Sequence, residues 1–260
     1  EIKECDWSSD VCSSDLRNAV MNTSDYSFVT NGKVHYTSNN PMDAAGVERF
    51  FPHNRAIKWN AGMKVRFRQQ FIDRPDMKYI LGSKFPVLSA DMTLASPLDK
   101  AIDADYLLLK FAIEDRIPLG MLGSLYYSLN YGKFLESRKL YFMDYAHFDG
   151  NRTIFSEFAN NRFDLLDYYS HSTSDQYIAA FAEQSFGGFI LNKIPIIRKL
   201  KLNEVAGARY LHVPGIKDHL EISAGVEKLG IIRADFVMSF DGSGASKTGF
   251  VIGLKRNFGP

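Results

Sequence analysis

The sequence predicts an all-β chain, an antiparallel transmembrane β-barrel of which about ten strands are present. Three observations predict it: apolar and polar residues alternate over long segments, turn residues separate those segments, and convincing helices are scarce. Residues 58–71 show the alternation best, with Trp59 and Phe67 on one parity and Lys64 and Arg66 on the other. An average globular strand has about 5–6 residues, whereas a tilted strand needs about 9–11 to cross a bilayer.

The composition excludes several other classes of protein. The chain has 260 residues, 31 Lys+Arg against 30 Asp+Glu, and 13% aromatic residues. This aromatic content excludes a disordered or collagen-like chain. Mean hydropathy is −0.19, and the sequence has no apolar run of the roughly 18 residues that a transmembrane helix needs. The charge is mixed in sign, so no nucleic-acid partner is predicted.

The first sixteen residues are set aside as an artefact. Residues 6–16 resemble the translation of a widely used sequencing-adapter oligonucleotide, and they lack the basic and apolar regions of a signal peptide. Both cysteines, Cys5 and Cys12, lie in this segment. Residues 17–260 then contain no disulfide, thiol nucleophile or Cys-ligated zinc site. We expect them to form the C-terminal part of the barrel, with the true N-terminus missing.

The alternation recurs along the rest of the chain. Further strands are predicted at 103–117, 119–132, 218–228, 231–240 and 248–258, and weaker ones at 26–38, 84–95, 177–189 and 200–212. Helices are predicted only at 43–51 and as a turn or two within 163–169. If the C-terminus is periplasmic, the connections at 118, 192–199 and 229–230 are periplasmic, and those at 39–57, 133–176, 213–217 and 241–247 lie outside. Short periplasmic turns and longer outer loops are typical of outer-membrane barrels.

The parity of each strand predicts which face it presents. A Lys or Arg at a bilayer midplane costs about 2–4 kcal/mol, so the charged face must look into a wet lumen. The predicted lumen-facing residues are Lys64, Arg66, Arg68, Lys110, Glu114, Glu221, Glu227, Arg233, Asp235 and Lys255. The predicted lipid-facing residues are Trp59, Met63, Val65, Phe67, Phe71, Leu125, Tyr127, Leu129, Ile222, Phe236, Phe250, Ile252 and Leu254.

A soluble β-sandwich or lipocalin-like barrel has the same alternation. Strand length, aromatic residues at strand ends and the lack of helices to cover an apolar face favour lipid. The connection 133–176 is rich in aromatic residues, which a freely solvated loop would not carry. We expect it to fold back into or over the barrel as a constriction, or to contain an additional hairpin.

Residues 147–155 and 163–202 resemble a family of outer-membrane proteins found mainly in Bacteroidota-type bacteria. The most specific motifs are Leu-Asp-Tyr-Tyr at 166–169, Phe-Gly-Gly-Phe at 186–189 and Asn-Lys-Ile-Pro at 192–195. Members join an N-terminal carboxypeptidase-regulatory-like β-sandwich to a large barrel of uncharacterised function. The resemblance implies the outer membrane of a Gram-negative bacterium, with outer-membrane lipid as a partner. Gln184 stands where members often carry a histidine.

The last strand resembles the signal that the barrel-assembly machinery reads, which makes this machinery a second expected partner. The residues that fit the signal are Lys247, Gly249, Ile252, Leu254 and Phe258. The physical content of the signal is a strand edge able to pair with another strand.

No motif predicts catalysis, a cofactor or a metal. The stretch 242–249 lacks the glycine and the helix of a phosphate loop, and no Gly-x-Ser-x-Gly elbow exists. His147 with Asp144 and Asp149 is a possible metal site, though solvated loop groups explain them more simply. The sequence therefore predicts a non-enzymatic transport, assembly or surface-structural role. A barrel-embedded hydrolase and a soluble β-barrel that binds a small apolar ligand remain the alternatives.

Overall fold

A computed structural model describes residues 6–19, 26–30, 33–37, 53–73, 78–189, 191–242, 244 and 246–255. The strands in chain order are β1 (Asp6–Ala19), β2 (Tyr26–Thr30), β3 (Lys33–Thr37), β4 (Asn54–Arg66), β5 (Gln70–Asp73), β6 (Lys78–Gly82), β7 (Val87–Ser96), β8 (Asp105–Pro118), β9 (Ser124–Lys139), β10 (Phe155–Phe158), β11 (Gln176–Ser185), β12 (Leu202–His212), β13 (His219–Lys228), β14 (Ile232–Asp241) and β15 (Ser246–Lys255).

Helical structure in the described residues is limited to four short segments. Three are 3₁₀ turns, at Gly120–Leu122, Phe142–Asp144 and Leu191–Lys193, and the fourth is the α-helix α1 at Pro195–Arg198. None of the helices described here is long and apolar enough to cross a membrane. The described part of the chain is therefore all-β, as the sequence predicts.

Eleven of the strands form one sheet, in the order β1-β4-β7-β8-β9-β11-β12-β13-β14-β15-β10. Neighbours are antiparallel except β10 and β15, which are parallel. Two separate hairpins are formed by β2 with β3 and by β5 with β6. The predicted barrel closure is absent from the described residues: the sheet is open, and β10, a segment from the middle of the chain, occupies the edge of β15.

Four predicted elements differ from the structure, one of them the strand predicted at 119–132, which is β9 at Ser124–Lys139 after a 3₁₀ turn. The strand predicted at 58–71 ends at Arg66, because Arg68 adopts a positive φ of 50° in a bend. The strand predicted at 26–38 is the hairpin β2–β3. Residues 163–169 form turns and irregular chain rather than helix, and the helix predicted at 43–51 lies outside the described residues.

The connections fall into two groups at opposite ends of the sheet. One end, called the turn end, carries the connections 67–86, 119–123, 186–201 and 229–231; the other, called the loop end, carries 97–104, 140–175, 213–218 and 242–245. The predicted connections within 118–247 group in this way, whereas most of the one predicted at 39–57 lies outside the described residues. One turn-end connection, 67–86, is nevertheless long, because it contains the hairpin β5–β6.

The connection 140–175 folds back over one face of the sheet, called the inner face. Phe163 and Leu166 are buried there against Phe181 of β11 and Leu211 of β12. This confirms that the aromatic-rich connection is not freely solvated. Instead of a hairpin it contributes the single strand β10 and an isolated bridge between Ala146 and Thr173.

Candidate functional site on the inner face

The strands on the inner face bury charge and expose apolar side chains. Glu221 of β13 is 0% exposed and Arg233 of β14 is 1% exposed. On the opposite face of the same two strands, Ile222 and Phe236 are 50% and 42% exposed. Asp and Glu are almost never fully buried in proteins unless they are paired, so this reversal requires partners for each buried charge.

Glu221 is the centre of the buried charges. Its Oε2 accepts the backbone N–H of Asp164 and its Oε1 accepts that of Leu165, each at 2.8 Å. His219 Nε2 lies 2.9 Å from Oε1, and His219 Nδ1 lies 2.7 Å from Asp241 Oδ1. One strand carboxylate therefore satisfies two backbone donors of the covering connection, which would otherwise be buried without partners.

Arg209 of β12 links the same connection to the sheet by charge. Its Nη2 lies 2.7 Å from Asp164 Oδ2, and its Nη1 donates to Ser223 Oγ at 3.3 Å. The contact with Asp164 is an ion pair without hydrogen-bond geometry. Burial raises the pKa of Asp164 to about 6, although Arg209 acts in the opposite direction.

Arg233 joins three strands. Its Nε and Nη2 donate to the carboxylate of Asp235 in β14, and its Nη1 donates to Glu183 of β11 at 2.6 Å. The guanidinium also lies over the ring of Phe158 in β10, 4.9 Å from the ring centroid. Bidentate pairing and stacking on an aromatic ring are the contacts for which Arg is suited and Lys is not.

A second buried cluster fastens the start of the connection 140–175. Asp144 forms ion pairs with Arg17 of β1 and with Lys58 of β4, the latter at 2.8 Å. The hydroxyl of Tyr106 in β8 donates to the same carboxylate at 3.2 Å. The connection is thus held to the sheet at both of its halves, by Asp144 and by Glu221.

The predicted lumen-facing residues fall into two groups. Glu221, Glu227, Arg233 and Asp235 are buried on the inner face. Lys64 and Glu114 form a partly exposed ion pair at 3.0 Å, Arg66 is half-buried and Lys110 is exposed. Arg68 lies beyond the end of β4, and its guanidinium lies over the ring of Phe85. The side chain of Lys255 is outside the described part of the structure.

Most of the predicted lipid-facing residues lie on the exposed face. The exposed ones are Trp59, Met63, Phe67, Leu129, Ile222, Phe236, Phe250, Ile252 and Leu254. Leu125 and Tyr127 are half-buried, and the side chain of Phe71 is not described. Val65 is buried, at 8% exposed.

The residues of the predicted assembly signal lie in β15, apart from Phe258, which is outside the described residues. Lys247 pairs with Asp167 at 2.8 Å. The backbone N–H of Ile252 donates to the carbonyl of Ile154 at 2.8 Å. The edge that such a signal would offer to another strand is thus held by this chain's own β10.

The possible metal site is not assembled. His147 Nδ1 lies 2.8 Å from Ser172 Oγ and its ring packs on Phe142 and Tyr169, while Asp144 turns towards Lys58. Burial lowers the pKa of His147. Among the described residues no group of three or more His, Cys, Asp or Glu could hold a metal ion.

Sequence reasoning placed Glu221 and Arg233 on the charged face but missed the roles of His219 and Asp164. His219 could have been found, because it precedes Glu221 by two residues and therefore shares its face. Asp164 carries no such signal, since it lies in a connection and meets Glu221 only through the fold.

Comparison with known proteins assigns the chain to a family. Residues 11–226 match the family described as "Family of unknown function (DUF5686) C-terminal domain". The chain belongs to this family. The DUF5686 match includes Glu221 and Arg209, and it ends at Val226 within β13, so that Arg233 and Asp235 lie beyond it. No curated protein and no solved structure matches the chain.

The family match confirms the coarser part of the resemblance, that the chain contains the C-terminal part of an uncharacterised family. The carboxypeptidase-regulatory-like domain stays a prediction. The match begins within the segment 1–16, and the structure places residues 6–16 in β1. The adapter origin of that segment also stays a prediction.

Proposed function

We propose that the chain is the C-terminal part of an integral outer-membrane β-barrel of a Gram-negative bacterium, with a transport, assembly or surface-structural role and no chemistry of its own. The observation that carries the proposal is the reversal on β13 to β15. Buried Glu221 and Arg233 face the covering connection, whereas Ile222, Phe236 and Phe250 face outwards.

The energetics of the two faces support this proposal. Fully burying a Val, Leu, Ile, Phe or Met side chain stabilises the fold by about 1.5–3 kcal/mol. The exposed apolar side chains of β13 to β15 lack this stabilisation in water and gain it in hydrocarbon. A Lys or Arg turned towards hydrocarbon at mid-depth costs about 2–4 kcal/mol. The main-sheet strands apart from β10 have 10 to 16 residues, enough to cross a bilayer at a tilt.

The covered inner face favours a filled lumen over an open pore. Glu221 and Asp144 anchor the two halves of the connection 140–175, and Phe163 and Leu166 fill the space between it and the sheet. In the proposed barrel, further strands complete the wall beyond the open edges. Passage of a solute then requires this connection to move.

The first experiment measures contact between Trp59 and lipid. Trp7 and Trp59 are the two tryptophans, so a Trp7→Phe variant leaves one reporter. In vesicles containing brominated phospholipid we expect strong quenching of Trp59 and little quenching by aqueous acrylamide. The reverse pattern, with the protein in the aqueous fraction after lysis, contradicts the proposal and favours a soluble β-domain.

A matched pair of neighbouring positions provides the control. In a Cys5→Ser, Cys12→Ser background, Ile222→Cys tests the exposed face and Ser223→Cys tests the buried inner face. Lipid-soluble maleimide should label the first position in vesicles and leave the second unlabelled. Equal labelling of both positions contradicts the assignment of the faces.

A further inference from the structure

The turn end of the sheet carries a concentration of positive charge. The connection 186–201 contributes four exposed cations, and no acidic residue occurs from 186 to 203. The cations are Lys193, Arg198, Lys199 and Lys201. In the part of the chain that the structure describes, none of them makes an ion pair. Lys193 instead lies over the ring of Phe189, 4.1 Å from the centroid.

Three of these cations surround one cavity. It has a volume of about 400 Å³, is open to solvent, and is lined by Asn192, Lys193, Pro195, Arg198 and Lys199. Guanidinium and ammonium groups are the side chains that proteins use for phosphate, the first as a bidentate donor and the second as a point charge. An amide from Asn192 adds a neutral donor. The chemistry of this lining fits an oxyanion such as phosphate.

Exposed apolar residues occur in the same connection as the cavity and in the turns next to it. Within the same connection Ile194 and Leu200 are exposed, and the two neighbouring turns expose Leu119, Met121, Leu122, Leu229 and Ile231. The turns are adjacent: Gln184 Nε2 donates to the carbonyl of Leu122 at 2.6 Å, and Leu202 pairs with Lys228. These exposed apolar residues, called the apolar rim, therefore lie at the same end of the sheet as the cations.

We propose that this cavity binds the phosphate of an anionic phospholipid, whose acyl chains lie on the apolar rim. The inference rests on the proposed function, which brings this end of the sheet to a membrane surface. The rim favours lipid over free phosphate, since a soluble anion gains nothing from Ile194 or Leu200. At the loop end, by contrast, Arg152 and Lys247 are both paired with Asp167.

The test compares two phospholipids with the same acyl chains, one with an anionic headgroup and one with a zwitterionic headgroup. The full chain, refolded in neutral detergent, is mixed with spin-labelled phosphatidylglycerol or phosphatidylcholine, and the immobilised fraction of each is measured by EPR. Because basic residues at a membrane surface attract anionic lipid, we expect a preference for phosphatidylglycerol of about tenfold or more. Added salt should weaken that preference.

Two triple variants, each of which removes three positive charges, show where the lipid binds. In the triple variant Lys193→Gln, Arg198→Gln, Lys199→Gln, the immobilised fraction of phosphatidylglycerol should fall to about that of phosphatidylcholine. The matched control Lys100→Gln, Arg138→Gln, Lys217→Gln removes three exposed loop-end cations and should leave it unchanged. Equal losses in both triple variants mean that only net charge matters, which overturns the site.

The remaining outcomes distinguish a failure of the proposed phosphate site from a failure of the proposed barrel. Displacement of the labelled lipid by equimolar inorganic phosphate contradicts the proposal that the bound phosphate belongs to a lipid, and it assigns the cavity to a free anion. Quenching of Trp59 by brominated lipid without a headgroup preference overturns the site and leaves the barrel standing. A headgroup preference without quenching of Trp59 supports the site and contradicts the barrel.

Discussion

The carboxylate of Glu221 accepts the backbone N–H of Asp164 at a distance of 2.8 Å, and both residues are buried. Through this bond a strand side chain holds a connection that lies 57 positions away in sequence. The same carboxylate also accepts the N–H of Leu165, so one residue of the sheet makes two hydrogen bonds to the backbone of the covering connection.

We expect Glu221→Gln to loosen the connection 140–175. The amide keeps the shape but offers one acceptor oxygen to two backbone donors, and it removes the charge facing His219 and Arg209. A hydrogen bond to a charged group is worth about 1.5–3 kcal/mol, so the free energy of unfolding should fall by at least about 2 kcal/mol. Denaturant unfolding gives that value, and hydrogen exchange gives the protection of the Asp164 and Leu165 amides.

Glu136→Gln is the matched control for this substitution. Glu136 is exposed on β9 and, among the described residues, pairs only with the exposed Arg138, so its loss should change stability by less than about 0.5 kcal/mol. Unchanged protection of the Asp164 and Leu165 amides in Glu221→Gln would show that other contacts, such as Phe163 against Phe181, suffice to hold the connection.

Two glycines of β15 should respond differently to alanine. A Cβ at Gly253 would lie 1.5 Å from the backbone oxygen of Ser156 in β10, whereas one at Gly249 would meet only the Cδ2 of Leu165, at 2.6 Å. A side-chain end can move, but a paired backbone cannot without breaking its pairing. We expect Gly253→Ala to detach β10 from β15 and Gly249→Ala to retain the pairing.

Hydrogen exchange of the Ile252 amide reports on this pairing, because that N–H donates to Ile154 of the β10 edge. The comparison is made after refolding in vitro, since Gly249 also belongs to the predicted assembly signal. If the Ile252 amide exchanges at the same rate in both variants, β10 does not depend on the close approach at Gly253.

The loop-end connection 97–104 should become less stable in acid. Asp103 accepts the backbone N–H groups of Arg55 at 2.7 Å, Leu98 at 3.1 Å and Asp99 at 2.7 Å. Burial alone would raise the pKa of Asp103, but these three donors outweigh it and hold the pKa below its ordinary value of 3.8.

The sign of the pH dependence follows from this depressed pKa. The unfolded chain protonates Asp103 more readily than the folded chain, so its stabilisation is complete above the unfolded pKa and is lost as the pH falls through the folded one. Denaturant unfolding between pH 6 and pH 2 should show this loss, and Asp103→Asn should remove it from the profile. An equally steep profile in the variant would assign the acid sensitivity to other carboxylates.

A charge on the outward face should block insertion. Phe236 is exposed, and its ring lies 5.9 Å from that of Phe250. Phe236→Lys should cost up to about 2–4 kcal/mol of folding free energy in lipid vesicles, whereas Phe236→Leu should fold nearly as well as the original chain. Folding yield is read from heat-dependent gel mobility. Equal yields for the Lys and Leu variants contradict a lipid-facing position.

Much of the fold could be predicted because strand alternation is local. The opposite faces of Glu221 and Ile222 follow from their order in one strand, without knowledge of any partner. The end of β4 could not be predicted in the same way. Alternation continues past Arg66 in the sequence, while the bend at Arg68 depends on backbone torsions that the pattern of side chains does not encode.

The sequence by itself determined the all-β class and the charged and apolar faces of the main strands. It also determined that the aromatic-rich connection packs against the sheet and is not freely solvated. The tertiary structure alone decided that Glu221 binds Asp164, that Arg233 bridges to Glu183, and that β10 takes the edge of β15. The physical reason is the separation in sequence between the residues that interact. Parity is set by neighbouring residues in one strand, whereas the partner of a buried charge or of a strand edge is whichever distant segment folding brings within hydrogen-bond reach.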